Sequence, residues 1–454
     1  MTTTRYGRRG LLVSLLALSA CAAVGPDPND LPVPTVQAGF AEGEGRATGS
    51  QVAFWGGYND AMLSQLISNG LGQSFDILSA NEAIRAARAD LEAAGVLGAQ
   101  VSGTGTGARQ RAGGDGVSVG TANSSSLSAA FVFDLFGGAR REREGRRAAY
   151  QAAEADLQTT RLAWLAEVIA AYSDARYYQQ AMALTRETIA SRRDTLDVTR
   201  NMAGVGVSTQ YDVAQTEALL QTAQADLPNY EAQFNAQVYR LSTLLNLQAQ
   251  PLLAQMKRGS SQLRTPPGPG TGVPADLLRT RPDIRSAQYS YAQSLAEIGV
   301  ATADMLPSVS LTGTVSDSGG NTSWGFGPSV SIPVLNQTAL GATRKRRQAE
   351  ARQAEIAWKS SVAEAVEDVQ TAQSNLRRYR SRAAMLDQAA TSYSRAYTMA
   401  RENFEAGELA LLDLLEADRS RFSARLSAAA ARNTAAQEWA TLQIATGAGS
   451  AVNK

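Results

Sequence analysis

Two stretches of this chain contain neither glycine nor proline, from Arg146 to Ala203 and from Ala342 to Ala406, 58 and 65 residues long. Both are rich in Ala, Gln, Glu, Arg and Leu, which lose little on entering a helix. At ~1.5 Å per residue the longer stretch predicts a rod of about 98 Å, far beyond an average globular helix. A heptad thread runs through each: Val168, Ala175, Met182, Ile189 and Leu196 in the first, Val369, Leu376, Ala383, Ala390 and Tyr397 in the second. Each member of the second set is its counterpart plus 201. The same offset carries Arg200 onto Arg401, Gly206 onto Gly407, Asp212 onto Asp413 and Glu217 onto Asp418. The chain is an internal duplication whose halves share a coiled-coil register and the turn that ends it. The Pro/Gly-rich segment from Pro266 to Pro274 is the natural linker between them.

A different texture precedes each long helix. From Ser308 to Ser316, Val309, Leu311 and Val315 fall on one face and Ser or Thr on the other; Trp324, Phe326, Pro328, Val330, Ile332 and Val334 then alternate with small residues. In the first half Leu127, Ala129, Phe131 and Phe133 repeat the pattern, while Val101 to Ala108 is Gly-rich and weaker. Period two with one apolar and one hydroxyl face suits a strand between lipid and water; a half-buried strand of a soluble sandwich is the alternative. Four membrane strands per chain cannot close a barrel, which needs at least ~8, so several chains would have to contribute to one barrel.

Composition removes whole classes of chemistry. There is no histidine among the 454 residues, which excludes His-based acid/base catalysis and the commonest transition-metal ligand. The lone cysteine, Cys21, forms no internal disulfide and no Cys-rich zinc site, so any metal site would be carboxylate only. A net charge of +1 gives no footprint of a nucleic-acid binder. Mean hydropathy of −0.21 and no apolar run of membrane length exclude helical spans but not β-strands.

The N-terminus reads as an address. Arg5, Arg8 and Arg9 precede the apolar run Leu11 to Leu18, then small residues and Cys21, the layout of a secretory signal. Leu18-Ser19-Ala20-Cys21 resembles the lipobox of bacterial lipoproteins, in which the cysteine carries the lipid; an ordinary signal cut near Ala20 is the alternative. Ala22, rather than Asp, implies sorting to the outer membrane under that resemblance. Pro26, Pro28, Pro32 and Pro34 then suggest an extended tether.

Several motifs together resemble the TolC-type outer-membrane efflux factors, in particular the lipoprotein branch that works with resistance-nodulation-division pumps. They are Phe54-Trp55 with Asp60 and Leu63, Phe133-Asp134-Leu135-Phe136-Gly137-Gly138, Leu278-Arg279-Thr280-Arg281-Pro282-Asp283-Ile284, Met305-Leu306-Pro307, and Ala406-Gly407. The likeness spans Phe54 to Gly447. It implies an α+β membrane protein: a homotrimeric, 12-stranded outer-membrane β-barrel with four strands per protomer, continued by a long periplasmic α-helical barrel of coiled-coil helices. It also implies an outer-membrane exit duct of a tripartite efflux system, passive and non-enzymatic, meeting a periplasmic adaptor (membrane fusion protein) and an inner-membrane pump. Outer-membrane lipid is a further partner, no cofactor is expected beyond a covalent lipid on Cys21, and the chain is expected to be lipid-anchored to the cell outer membrane and to extend into the periplasm. Two departures are Leu306, where the family often has an aromatic residue, and the short stretch after Gly447, which implies little equatorial decoration.

The expected layout is a signal peptide over 1–20, a lipidated tether over 21–53, a first repeat over 54–257, a linker over 258–275, a second repeat over 276–447 and a tail over 448–454. Each repeat has the order helix, β-hairpin, long helix, helix. Carried over from the family, Leu412, Glu416 and Arg419 line the periplasmic gate, spaced four and then three apart on one helical face, with Asp413 and Asp418 flanking them. Leucines would plug the pore and the charged rings would pair between subunits; Glu416 stands where Asp is common. A plain intrahelical surface pair is the other reading of Glu416 and Arg419. The tips, Gly204, Val205, Gly206 and Val207 with Gly407, Glu408 and Leu409, are expected to touch the adaptor, and they also suit simple helix-ending turns. Pro228 predicts a kink in the helix after the first tip.

Two basic clusters, Arg140 to Arg147 and Arg344 to Arg347, open the long helices, where cations oppose the helix dipole. They read either as a solvated helix face or as contacts to lipid phosphates at the inner membrane surface. A non-conducting coiled-coil lipoprotein of the periplasm and an envelope enzyme on a β scaffold are rival functions. The lipid-facing alternation of Trp324 to Val334 speaks against the first, and the absence of histidine and of clustered carboxylates against the second.

Overall fold

The computed structural model describes residues 23–41, 53–94, 99–111, 119–268 and 274–450. The signal segment, Cys21, residues 42–52 of the tether, 269–273 of the linker and 451–454 of the tail lie outside the described residues. After a short 3-10 helix (Phe54–Tyr58) come α1 (Ala61–Gly70), α2 (Phe75–Ala93), β1 (Ala99–Arg111) and β2 (Val119–Phe133). Next are the long helix α3 (Gly138–Gly204) and α4 (Gln210–Leu244), then α5 (Ala249–Lys257), α6 (Pro274–Thr280) and α7 (Pro282–Ala303). The second hairpin is β3 (Ser308–Ser318) and β4 (Asn321–Ser331), followed by the long helix α8 (Gln337–Glu405) and by α9 (Leu411–Ala445). The 201-residue offset maps both ends of α4 onto those of α9. None of the described helices is long and apolar enough to cross a membrane.

The chain forms two compact units. The first unit, residues 1–34, 82–155 and 285–361, holds all four strands in one antiparallel sheet of order β1-β2-β3-β4. Register fixes the faces. Leu127 pairs Val315 and Phe131 pairs Leu311, while Val315 pairs Trp324 and Val309 pairs Val330, so these bulky apolar side chains share one face, and Val132, paired with Ser310, falls on the other. The other face is hydroxylated, with Thr104 to Ser126 at 2.7 Å, Thr106 to Ser124 at 2.7 Å and Ser316 to Ser323 at 2.9 Å. Trp324 is 74% and Phe326 78% exposed on the apolar face, an arrangement that water disfavours and lipid rewards. Eleven residues at ~3.3 Å, tilted, span roughly 25 Å of bilayer core. Gly-rich β1 is a strand despite its weak pattern, because every one of its residues pairs with β2. β4 ends at Ser331, so Ile332 and Val334 continue its alternation beyond the strand itself.

The motif from Phe133 to Gly138 turns strand into helix. Asp134 accepts hydrogen bonds from the backbone N–H groups of Ala139 (3.1 Å) and Arg140 (2.9 Å), satisfying two orphan donors at the start of α3. Gly137 has φ +73° and lies so close to Ala23 that a Cβ would meet its Cα at 2.5 Å. The segment after Cys21 is thereby held at the base of the sheet: Val24 N–H donates to the Phe136 carbonyl (3.0 Å), and buried Arg141 donates to the Val24 carbonyl (3.1 Å).

The second unit, residues 35–81, 156–284 and 362–454, is helical. Its heptad residues are buried as expected, apart from half-buried Ile189. Phe54 packs against Trp439 at 5.9 Å, Tyr58 against the same indole at 4.8 Å, and the Tyr58 hydroxyl donates to the Ala436 carbonyl (2.6 Å). Asp60 caps α1 through Leu63 N–H (2.9 Å) and accepts from the Tyr172 hydroxyl, whose own oxygen takes a hydrogen bond from fully buried Arg176 (2.9 Å). Burial pushes the Tyr172 phenol well above its ordinary range, so it stays a donor. Arg281, from the second opening motif, bridges Asp283, Asp368 (2.9 Å) and the Ala445 carbonyl (3.3 Å). The described start of the linker packs on the helices: the Pro267 carbonyl accepts from Trp439 Nε1 (2.8 Å) and Leu263 is buried. Helix α4 continues unbroken through Pro228.

Candidate gate and helix tips

Each long helix ends at a glycine in the left-handed region, Gly206 at φ +78° and Gly407 at φ +76°. Val207 N–H reaches back to the Met202 carbonyl (2.9 Å) and Glu408 N–H to the Asn403 carbonyl (2.8 Å), the same backbone closure in both turns. At the first tip Val205 and Val207 are 77% and 73% exposed. At the second, Gly407 and Glu408 are exposed, but Leu409 is half-buried against Tyr397, Phe404, Leu411, Leu414 and Leu415. Leu409 therefore serves the tip core as well as its surface.

The start of α9 is sharply two-faced. Leu411, Leu414, Leu415 and Asp418 are buried, whereas Leu412, Asp413, Glu416 and Arg419 are exposed. An exposed leucine above an exposed ion pair is what the spacing of 412, 416 and 419 anticipates for one helical face. Arg419 Nη1 lies 3.0 Å from Glu416 Oε2 within the chain, with both side chains more than half exposed. At that exposure the pair contributes about 0.3 to 0.5 kcal/mol, so both groups remain available to other partners.

Asp418 behaves differently from the flanking role expected of it. It accepts from Arg192 Nε of α3 (2.7 Å) and from Arg421 (3.2 Å), with the side chains of Arg192 and Asp418 only 8% and 6% exposed. Arg192 also donates to the Leu219 carbonyl of α4 (2.7 Å), Arg421 sits 3.7 Å from the Tyr397 ring centre of α8, and the Tyr397 hydroxyl meets Ser191 Oγ at 2.6 Å. One buried network thus pins four helices beneath the tips. The sequence pattern missed Arg192: it stands four residues before heptad Leu196, and the carboxylate nearest in sequence is Asp194, whereas its partner Asp418 lies 226 residues away. No cluster of three or more His, Cys, Asp or Glu side chains suited to a metal occurs among the described residues.

Residues 66–247 and 273–448 match the family model described as outer membrane efflux protein. Nodulation protein T of Rhizobium leguminosarum bv. trifolii is 34% identical over 452 residues, covering 96% of each chain. The probable efflux pump outer membrane protein TtgC of Pseudomonas putida is 31% identical over 304 residues, 63% of this chain and 62% of that one. The structure of the outer-membrane channel OprN superimposes with a TM-score of 0.83 at 27% identity, covering 94% of this chain and 99% of that chain. A two-repeat chain with four strands and two long helix pairs is thus an outer-membrane channel of the kind that serves tripartite efflux pumps, a conduit and not an enzyme. The chain belongs to the outer membrane efflux protein family, and it acts in the outer membrane and extends into the periplasm. That membership sets aside the periplasmic spacer and the envelope enzyme.

Proposed function

We propose that three copies close a twelve-stranded barrel and form a passive exit duct whose periplasmic end is gated by rings of Leu412, Asp413, Glu416 and Arg419. The observation that carries this is the sheet: β1 and β4 have no second strand partner among the described residues, and their neighbours bear an apolar and a hydroxyl face. Edges left open in lipid would strand backbone N–H and C=O groups, so copies must pair edge to edge. The hydroxyl face then lines the lumen. At the tip, exposure of Leu412 and of the Glu416–Arg419 pair supports a constriction in which each charge can exchange its intrachain partner for one on a neighbouring chain.

The duct takes substrate from an inner-membrane resistance-nodulation-division pump through a periplasmic adaptor, which docks on Gly204, Val205, Gly206, Val207, Gly407, Glu408 and Leu409. Exposed Val205 and Val207 offer it apolar surface. The lipid is carried by Cys21. Ala23 rests against Gly137 at the base of β2, and two residues of chain reach roughly 7 Å, so an acyl group there enters the bilayer beside the strands.

Single-channel conductance of the purified protein in planar bilayers tests the duct and its gate together. Small steps are expected from the wild type and larger ones from Arg419→Ala. Silence from both proteins after verified insertion would sink duct and gate alike; equal steps would sink the gate alone.

A further inference from the structure

We propose that the strand-bearing unit carries a basic collar that binds anionic phospholipid of the bilayer leaflet through which the strands join the helices. This rests on the reading that the sheet crosses the membrane. Phe133, Val309 and Val330 form one rung at the helix end of the apolar face, so the bilayer surface lies just past them. α3 starts at Gly138 and α8 at Gln337, and each opens with a cluster of cations: Arg140, Arg141, Arg143, Arg146 and Arg147 in one, Arg344, Lys345, Arg346 and Arg347 in the other.

Helix α7 shows that the two clusters share a level. Its Glu297 takes Arg347 at 2.7 Å, and two residues further on Gly299 lies so close to Arg141 that a Cβ would meet its Cγ at 2.6 Å. Two residues of helix rise only ~3 Å. The tether crosses at the same point, since a Cβ on Gly25 would meet the Gly299 Cα at 2.6 Å. Three features therefore ring one height of the unit: both clusters and the segment that follows Cys21.

The cations fall into two groups. Arg140 and Arg141 pair with Glu144, and Arg346 and Arg347 with Glu350, at 2.7 to 3.1 Å. Arg146 has only long contacts, 3.9 Å to Asp90 and 4.0 Å to Glu142. Arg143, Arg147, Arg344 and Lys345 have no ion-pair partner among the described residues, and Arg344 Nε is buried without a hydrogen bond. These four cations lie in the second and third turns of α3 and α8, with no carboxylate among the described residues offsetting their charge, so the local fold gains no ion pair from them. An external anion does account for them.

The anion is a lipid rather than free phosphate because apolar surface adjoins the charge. A cavity of about 660 Å³ beside the first cluster is walled by Phe131, Phe133, Leu135 and Phe136 and carries Arg140 and Arg143, with Glu142, Asp304 and Asp134, the last engaged in capping α3, as its acids. An acyl chain fits the aromatic wall, continuous with the lipid-facing strands, while its phosphate meets the arginines.

The test uses the full-length protein in mixed micelles of equimolar phosphatidylglycerol and phosphatidylcholine, washed with detergent, with retained lipid counted by mass spectrometry. The wild type is expected to retain phosphatidylglycerol about threefold or more over phosphatidylcholine. The combined variant Arg143→Gln, Arg147→Gln, Arg344→Gln, Lys345→Gln is expected to retain both equally, while a control with Arg193, Arg200, Arg382 and Arg395 changed to Gln keeps the wild-type ratio. No preference in the wild type, an equal loss in the control, or displacement by millimolar inorganic phosphate would overturn the collar. Conductance is read on the same preparations, so a conducting protein without lipid preference refutes the collar and leaves the duct standing.

Discussion

The two tips are copies of one turn, yet they are built to different firmness. At the first, Thr209 and Asp212 form a capping box: Asp212 N–H donates to Thr209 Oγ1 (3.2 Å) while Thr209 N–H donates to Asp212 Oδ2 (2.8 Å). The 201-residue offset replaces Thr209 by Ala410, and α9 accordingly starts with no side-chain cap. A missing cap is worth ~1 kcal/mol. The second tip, which bears the proposed gate, therefore has the weaker helix start above the stronger foundation of the Arg192–Asp418–Arg421 network. A duplicated turn has diverged into a stiff copy and a copy whose first turn can yield while its base is held.

Breaking the foundation should have the largest effect. Asp418→Asn leaves Arg192 buried without its charge partner and is expected to destabilise the helical unit by about 3 kcal/mol, read from the chemical denaturation midpoint. Exchanging the tips' caps comes next. Thr209→Ala should loosen residues 210–213 and Ala410→Ser should tighten residues 411–414, each by ~1 kcal/mol in hydrogen-exchange protection. Equal protection of both tips in the wild type would contradict the asymmetry outright.

Acid should loosen the cap of the first tip. The Thr209 N–H, and then its hydroxyl, hold the Asp212 carboxyl below its ordinary 3.8. Because the folded value is the lower one, the cap's contribution is present above the unfolded value and is lost as pH falls through the folded one. Exchange at residues 210–213 relative to 411–414 should therefore rise only below about pH 4. The smallest effect is expected of Glu416→Gln, within about 0.5 kcal/mol in stability, since its pair with Arg419 is exposed. A change in conductance without a change in stability would separate gate from scaffold.

Much of this was legible in the sequence because it depends on periodicity. The heptads placed the buried seams, the offset placed both glycine turns, and alternation gave the faces of β2, β3 and β4. Spacing also put Leu412, Glu416 and Arg419 on one exposed face. What stayed hidden depends on tertiary partners. The offset equates Asp418 with Glu217, but the residue equivalent to Arg192 is Tyr393, so the second half supplies no arginine for Glu217. Glu217 instead makes a long, exposed contact of 3.7 Å with Arg200, whereas Asp418 is buried. Gly137 and Gly299 were likewise visible as glycines, though nothing in the sequence said that Ala23 and Gly25 would press against them.

The open edges of the sheet also have a genetic consequence. In the proposed three-chain barrel every seam is shared between two gene copies, so one chain with a spoiled edge spoils the whole ring. With normal and edge-defective alleles expressed equally and mixing at random, only about one ring in eight would be wholly normal. Proline substitutions along β1 or β4 should accordingly behave as dominant alleles, while loss of the lipid proposed for Cys21, which would act chain by chain, should be recessive.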